Sequence, residues 1–512
     1  MKNFSELLKN PNQLSKAVGS TTSLRVYPES ISAAEDTLFA LARKGMEKRL
    51  IIIFDNSGKA ADFKGSANKI SIDGVQANIM VCPLTHHNAS AVRRHLPFTK
   101  PVTLGVKKTI GTGDRLGIAT PGHVLAVRKG TMRPVFCQQS IREMTRTGRT
   151  AQQIMDSACW GVLQAGWRDG FGADADHLKS TDDIDACFEE PFTFYTVDPG
   201  DYIEDTADID SKDKLRAGFE ALPWDVLQSS CDDCMTAYAD KSFDIPGLSL
   251  TVTTEDLLRM AVKYGRAIAH ISTAFNYLKS KFGNEKFEFE VSIDETATPT
   301  SAAQHYYLAS ELRRLGVEWV SLAPHFVGRF EKGVDYIGDP GEFRTEFAKH
   351  VAIARHFGPY KISLHSGSDK FSIYPVVAEL AGELVHIKTA GTSYLEALRV
   401  IAETKPNLFR EILAFARRQY VLDKATYYVS ADVEKIPAPE DLKDRQLPAV
   451  LDEFDARQAC HVTYGSVLTA KKTNGGFLFY DRIMKALQQN EHLYYKILEQ
   501  HIGKHIIPFN SA

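Results

Sequence analysis

The chain lacks several features that would classify it quickly. It has no surplus of charge: 61 Lys and Arg stand against 64 Asp and Glu, a formal net charge of −3 with a pI near 6.6. That balance excludes the basic stripe of a nucleic-acid binder and the polybasic patch of a membrane-surface protein. No apolar run approaches the roughly 18 residues of a membrane span. The opening MKNFSELLKNPNQLSKAVGS lacks the apolar stretch of a secretory leader. Cysteines number seven, odd and scattered, which fits a reducing compartment rather than a disulfide framework, so a cytoplasmic location is expected. Cys231 and Cys234 make one C-x-x-C, but no second pair is spaced to close a zinc site with it. Two thiols one helical turn apart is the expected reading. Internal repeats and low-complexity segments are also missing. The one dense glycine motif, GTGDRLGIATPGH (111–123), is spaced G-x-G-x-x-x-G, and no G-K-[ST] occurs. Neither a dinucleotide fingerprint nor a P-loop is therefore present.

What the chain does have is strands at regular intervals. At 512 residues and 44% hydrophobic it can build a large core, and it is too long for one minimal domain. Before residue 96, SLRVYP, RLIIIFD and ANIMVCPL read as strands with helical pattern between them. Eight further strands are expected at 102–111, 134–140, 172–179, 192–200, 287–295, 317–326, 360–368 and 383–391. Most are separated by helical stretches. Alternating strand and helix point to parallel βα units, and eight such units allow closure into a TIM-type (β/α)8 barrel. An open doubly wound sheet is the fallback. The expected division is an N-terminal α/β extension (1–95), a barrel (96–400) and a mostly helical C-terminal segment (401–512) packed on it. EKIPAPEDLKDRQLP (434–448) reads as a long surface loop.

Closure gives the polar strand faces a destination. FEFEVSIDET (287–296) alternates with period two, yet its polar face is too acidic merely to meet water. In a barrel, Phe289, Val291 and Ile293 face the helices while Glu290, Ser292 and Asp294 point inward. The next three strands repeat the pattern, with inner rows ending on His325, His365 and Lys388. Barrel active sites lie at this C-terminal rim.

His177, His325, His365 and His386 fall at or near four strand ends, beside Asp176, Asp294 and Glu295. A lone histidine there is an ordinary hydrogen-bonded interior residue. Four of them among carboxylates suit a divalent metal such as Zn, Mn, Fe or Ni, rather than Ca. Lys107, Lys108, Arg115, Lys179 and Lys388 add cations for an anionic substrate, and Asp114 and Arg115 sit on the glycine loop after the first barrel strand. The TAGTS turn (389–393) leads into a helix whose free N–H groups suit a carboxylate or hydroxyls.

GVKKTIGTGDRLGIATPGH, GADADHLK, VSIDET, GRFEKGVDYIGD, KISLHSGSDKFS and HIKTAGTSYLEALR together resemble the bacterial tagaturonate epimerase family, over roughly 100–470 of the chain. The resemblance implies a barrel, a divalent metal and interconversion of D-tagaturonate and D-fructuronate in hexuronate breakdown. It implies Asp176 as a base, His177 as a ligand and an acid within SIDET. Glu295 is the expected acid and Asp294, favoured by parity, its rival. Further ligands fall on later strands: His365, with His325 or His386. Arg115, Lys179, Lys388, Asp114 and Asp294 are the expected substrate contacts.

The two hexuronates differ at a carbon β to the ketone, whose C–H is not acidified by direct enolisation. Retro-aldol cleavage and re-addition, or deprotonation by an acid–base pair, would invert it without nicotinamide. Two other function classes share the rim: a metal-dependent sugar isomerase or aldolase, and a catalytically silent sugar-acid-binding barrel. The expected partner is a small hexuronate, with no nucleic acid and no membrane, and with assembly of identical chains left open.

Overall fold

The computed structural model describes residues 11–55, 58–72 and 74–510; the first ten residues of the stretch read for a leader lie outside these. Eight parallel strands close into a barrel: β1 (Thr109–Gly111), β2 (Arg133–Ser140), β3 (Gly172–Leu178), β4 (Phe194–Val197), β5 (Glu288–Ile293), β6 (Ser321–Pro324), β7 (Lys361–Leu364) and β8 (Val385–Lys388). Each pairs with the next, and β8 returns to β1 through His386 opposite Thr109 and Lys388 opposite Gly111. Seven lie inside the spans expected from alternation, and β2 starts one residue before its own. The connecting helices start on residues that cap them: Ser180 with Asp183, Thr253 with Asp256 and Ser301 with Gln304 each form a reciprocal capping box.

Strand parity delivers the two faces as expected on β5. Phe289, Val291 and Ile293 enter the apolar layer under the helices. Glu290 and Ser292 point into the barrel, where Glu290 meets His365 and Ser292 meets Asp294. Glu288, at the start of the strand, accepts the backbone N–H groups of Leu104 and Gly105 on the segment that leads into β1.

Residues 25–82 correct the expectation of helical pattern between strands. Here a six-stranded antiparallel sheet runs in the order 25–26, 37–44, 47–54, 75–82 and 66–72, with 32–34 added to the edge of 37–44. Thr37–Lys44 and Ser66–Ile72 are strands, not helices. For Thr37–Lys44 the physical reason is double burial. Phe39, Leu41, Leu50 and Ile52 pack with Val92, Trp160 and Leu163 on one side, while Leu38, Ala40, Ala42, Ile51 and Ile53 pack with Leu14 and Val18 on the other. A strand covered on both faces loses its period of two, and TLFALARK is then indistinguishable by pattern from a helix.

Beyond the barrel the helices Pro406–Asp423, Phe454–Val462, Tyr480–Gln489 and Glu491–Ile506 form a second core. The stretch 434–448 is a chain of short 3₁₀ turns ending in one helical turn. This C-terminal layer is pinned to the barrel loops by a buried ion pair and hydrogen bonds. Arg457 donates to the Gly333 carbonyl at 2.6 Å and to Asp369 at 3.0 Å. His501 bridges Asp369 and Glu396, at 2.5 and 3.2 Å. All described cysteines are free thiols, Cys231 and Cys234 included. No described helix is long and apolar enough to cross a membrane.

Candidate active site

A cavity of about 280 Å³ opens at the C-terminal rim of the barrel, within the scale of a small-ligand site. Its wall includes Asp176, His177, Glu295, His365, Lys388, Arg115 and Lys179 from the sequence reading. The neighbours Asp176 and His177 both reach it, although adjacent strand residues point to opposite faces. His177 takes a left-handed φ of 55°, which breaks the alternation and turns its ring inward.

His177, Asp294 and His365 each offer one ligand atom, and these atoms lie within 4.8 Å of one another. The hydrogen bonds behind them assign the rings. His177 Nδ1 is held by Asp176 at 2.7 Å, leaving Nε2 free. His365 Nε2 is held by Glu290 at 2.8 Å, leaving Nδ1 toward Asp294 at 3.0 Å. Two imidazoles and a carboxylate, each backed by a second polar group, are a donor set that fits a divalent transition metal. Without an ion, burial would lower His365, but Asp294 and Glu290 outweigh burial and the opposing Lys388 and raise it to about 10. The two other such groups among the described residues already contain arginine: Arg457 beside Asp369, His501 and His505, and Arg93 beside His86, Asp156 and Glu190.

Lys388 stands beneath this trio and contacts Asp174, Asp176 and Glu290 at 2.9, 2.6 and 2.7 Å. Burial alone would lower it, but the three carboxylates hold it well above the usual lysine range. Asp176 is raised by burial, then pulled well below its ordinary value by His177 and Lys388. It accepts from Gln138 Nε2 as well, at 2.8 Å. These three donors favour its ionised form.

The remaining expected residues differ in where they point and what they bind. His386 precedes Lys388 by two positions, so it sits roughly 6–7 Å deeper in the barrel. There its Nδ1 meets the Thr109 hydroxyl at 2.8 Å, and burial lowers its pKa to about 3. His325 turns its Nδ1 to the Thr296 carbonyl at 2.9 Å. Neither joins the trio. Asp294, expected among the substrate contacts, is placed with the two histidines instead. Asp114 spends both oxygens on the backbone N–H groups of Leu116, Gly117 and Ala119, capping its own turn. Lys179 pairs with Asp201 at 2.9 Å. Glu295 stays at the exposed rim, where Arg142 holds it at 3.1 Å.

Several wall residues escaped the sequence reading. Asp198 follows β4, Lys332 lies on the loop after β6, and Tyr427 and His461 come from the C-terminal layer. Asp198 keeps one oxygen, Oδ2, without a hydrogen-bond partner, and burial raises its pKa. A carboxylate one residue past strand four was a detectable signal; a lysine in an aperiodic loop was not.

Comparison with known proteins gives the chain a family. The family profile described as tagaturonate epimerase matches residues 27–508. A curated tagaturonate/fructuronate epimerase of Thermotoga maritima is 40% identical over 481 residues, 94% of this chain and 96% of its own. The crystal structure of a fructuronate-tagaturonate epimerase from Cohnella laeviribosi with one glycerol superposes with a TM-score of 0.89 at 37% identity, covering 96% of this chain and 97% of that one. The native crystal structure of the same protein gives 0.88 at 37% identity, with 96% and 99% covered.

Proposed function

The chain belongs to the tagaturonate epimerase family and is a carbohydrate epimerase, and we propose that its rim cavity interconverts D-tagaturonate and D-fructuronate with a divalent metal held by His177, Asp294 and His365. The observation that carries this reading is the trio itself: two imidazoles and a carboxylate, oriented by Asp176 and Glu290, at the open end of a barrel. A cation bound there would supply Lewis acidity toward the substrate ketone.

The chain's own residues do the rest. Asp176, held well below its ordinary pKa by His177 and Lys388, fixes the His177 tautomer rather than taking a substrate proton. Lys388 neutralises the carboxylates below the cavity and is not free for a substrate carboxylate. Proton transfer falls to two wall carboxyl groups: Asp198, with an oxygen to spare and a raised pKa, and Glu295 at the rim. In a retro-aldol route one of them takes the hydroxyl proton of the carbon to be inverted as the adjacent carbon–carbon bond breaks. It returns that proton after the bond re-forms on the other face.

The test is incubation of purified protein, loaded in turn with Zn, Mn, Fe or Ni, with D-tagaturonate, followed by proton NMR. Fructuronate should accumulate to an equilibrium mixture. Persistent three-carbon fragments would mark an aldolase instead, and no turnover with any of the four metals would overturn the reading.

A further inference from the structure

One corner of the cavity is built by three barrel loops and the C-terminal layer, pressed together at glycines. A Cβ on Gly113 would lie 2.6 Å from Ala390 Cα, which sets the loop after β1 against the turn after β8. A Cβ on Gly391 would lie 1.8 Å from His461 Cε1, and one on Gly333 would lie 2.9 Å from His461 Nδ1. Arg115, Lys332, the start of helix Thr392–Thr404 and His461 therefore share this corner, and Arg115, Lys332, Gly391 and His461 all line the cavity.

The corner carries positive charge that the protein does not fully use. Arg115 is 4% exposed and lies 3.5 Å over the Tyr464 ring. It gives Nε and Nη2 to Glu143, at 2.7 and 2.6 Å, while Nη1 has no partner. Lys332 is half-buried and has no hydrogen-bond or ion-pair partner among the described residues. Helix Thr392–Thr404 begins at Gly391 with no side-chain cap on its free N–H groups. His461 is 3% exposed and its Nδ1 is also unpartnered. Burial, then the charges of Arg115 and Lys332, hold it neutral, well below the usual histidine range. Lys179 and Lys388, in contrast to Lys332, are already matched by carboxylates, as Arg115 is by Glu143.

We infer that this corner binds the substrate's carboxylate, with Lys332 as its charged donor, the Arg115 guanidinium beside it and the uncapped helix start behind them. The inference rests on the proposed epimerase reading and adds a direction to it: the ketone end lies toward His177 and His365, the acid end toward Lys332. Anchoring the acid end also suits carbon–carbon cleavage. The aldehyde fragment that carries the carboxylate stays held while it turns about its own single bond to present the other face.

Lys332 would then be a specificity determinant that distinguishes sugar acids from neutral sugars. The probes are D-galactonate and galactitol, which differ in a carboxylate against a hydroxymethyl group, measured as competitive inhibitors and by calorimetry. Lys332→Met should weaken galactonate by about tenfold to a hundredfold, leave galactitol unchanged, and preserve kcat better than KM. Lys332→Arg should restore most of the galactonate affinity. Equal loss for both probes, or no loss for either, would overturn the inference. Turnover of D-tagaturonate by the unmodified protein is read separately. If that fails while galactonate binding still follows the charge at 332, the activity reading is wrong and the anion corner stands.

Discussion

His177 and His365 stand with ring centroids 4.9 Å apart, although they come from strand ends on opposite sides of the barrel. Each is held from behind by a different carboxylate, so their facing nitrogens are fixed before any ligand arrives. Replacing either by alanine should strip metal from the purified protein, cut activity by more than about a hundredfold and leave circular dichroism unchanged. Full metal occupancy in His365→Ala, read by elemental analysis, would remove it from the ligand set.

Asp176 and Asp198 should fail in different ways. Asp176→Asn disturbs the His177 tautomer, so metal affinity should drop roughly 10–100-fold and excess metal should recover part of the activity. Asp198→Asn should keep its metal and lose roughly 10²–10⁴ in kcat, as expected for a proton-transfer group. If the two variants respond alike to added metal, the division of roles between them is wrong.

The hydrogen on the inverted carbon should stay in place. That C–H is not activated by the ketone, whereas the hydroxyl on the same carbon has carboxyl groups within the cavity to exchange with. Epimerisation in D₂O should therefore give product without deuterium at that carbon. Deuterium there, seen by NMR, would favour two acid–base groups working from opposite faces.

Acid should weaken the fold through histidines kept neutral inside it. His350 is bonded to His305 Nδ1 at 2.9 Å, and burial, with the nearby Lys349 charge, lowers it from 6.5 to about 4. His123, buried against Ser393, is also lowered to about 4. Between about pH 6.5 and pH 4 the unfolded chain binds these protons and the folded one does not. Stability is then unaffected above pH 6.5 and falls below it, by up to ~1.4 kcal/mol per pH unit for each histidine. Denaturant titrations should show a shallower slope in His350→Gln; an unchanged slope would discount its contribution.

The barrel was readable because its inner and outer rows obey a period of two, and β5 to β8 end their inner rows on chemistry-bearing side chains. Asp294 and His365 could be found that way. Parity could not place His177 on the inner face, because its left-handed backbone defies it; its position at a strand end singled it out, and the resemblance to a family gave it the role of ligand. His386 shares the inner row but not the depth, and alternation carries no information about depth. Lys332, Tyr427 and His461 sit where the chain has no period, so only folding brings them to the rim. The double burial of Thr37–Lys44 erased the one signal that marks a strand.

The contacts of Arg457 and His501 with Asp369, Glu396 and the Gly333 carbonyl have a consequence for synthesis. The ribosome releases all eight barrel strands before it releases the helices that carry these residues and His461. A nascent chain can close its barrel early, yet its rim loops lack their anchors and the acid-binding corner lacks its back wall. Competence for catalysis should arrive late in translation, as a single event, when the C-terminal layer docks.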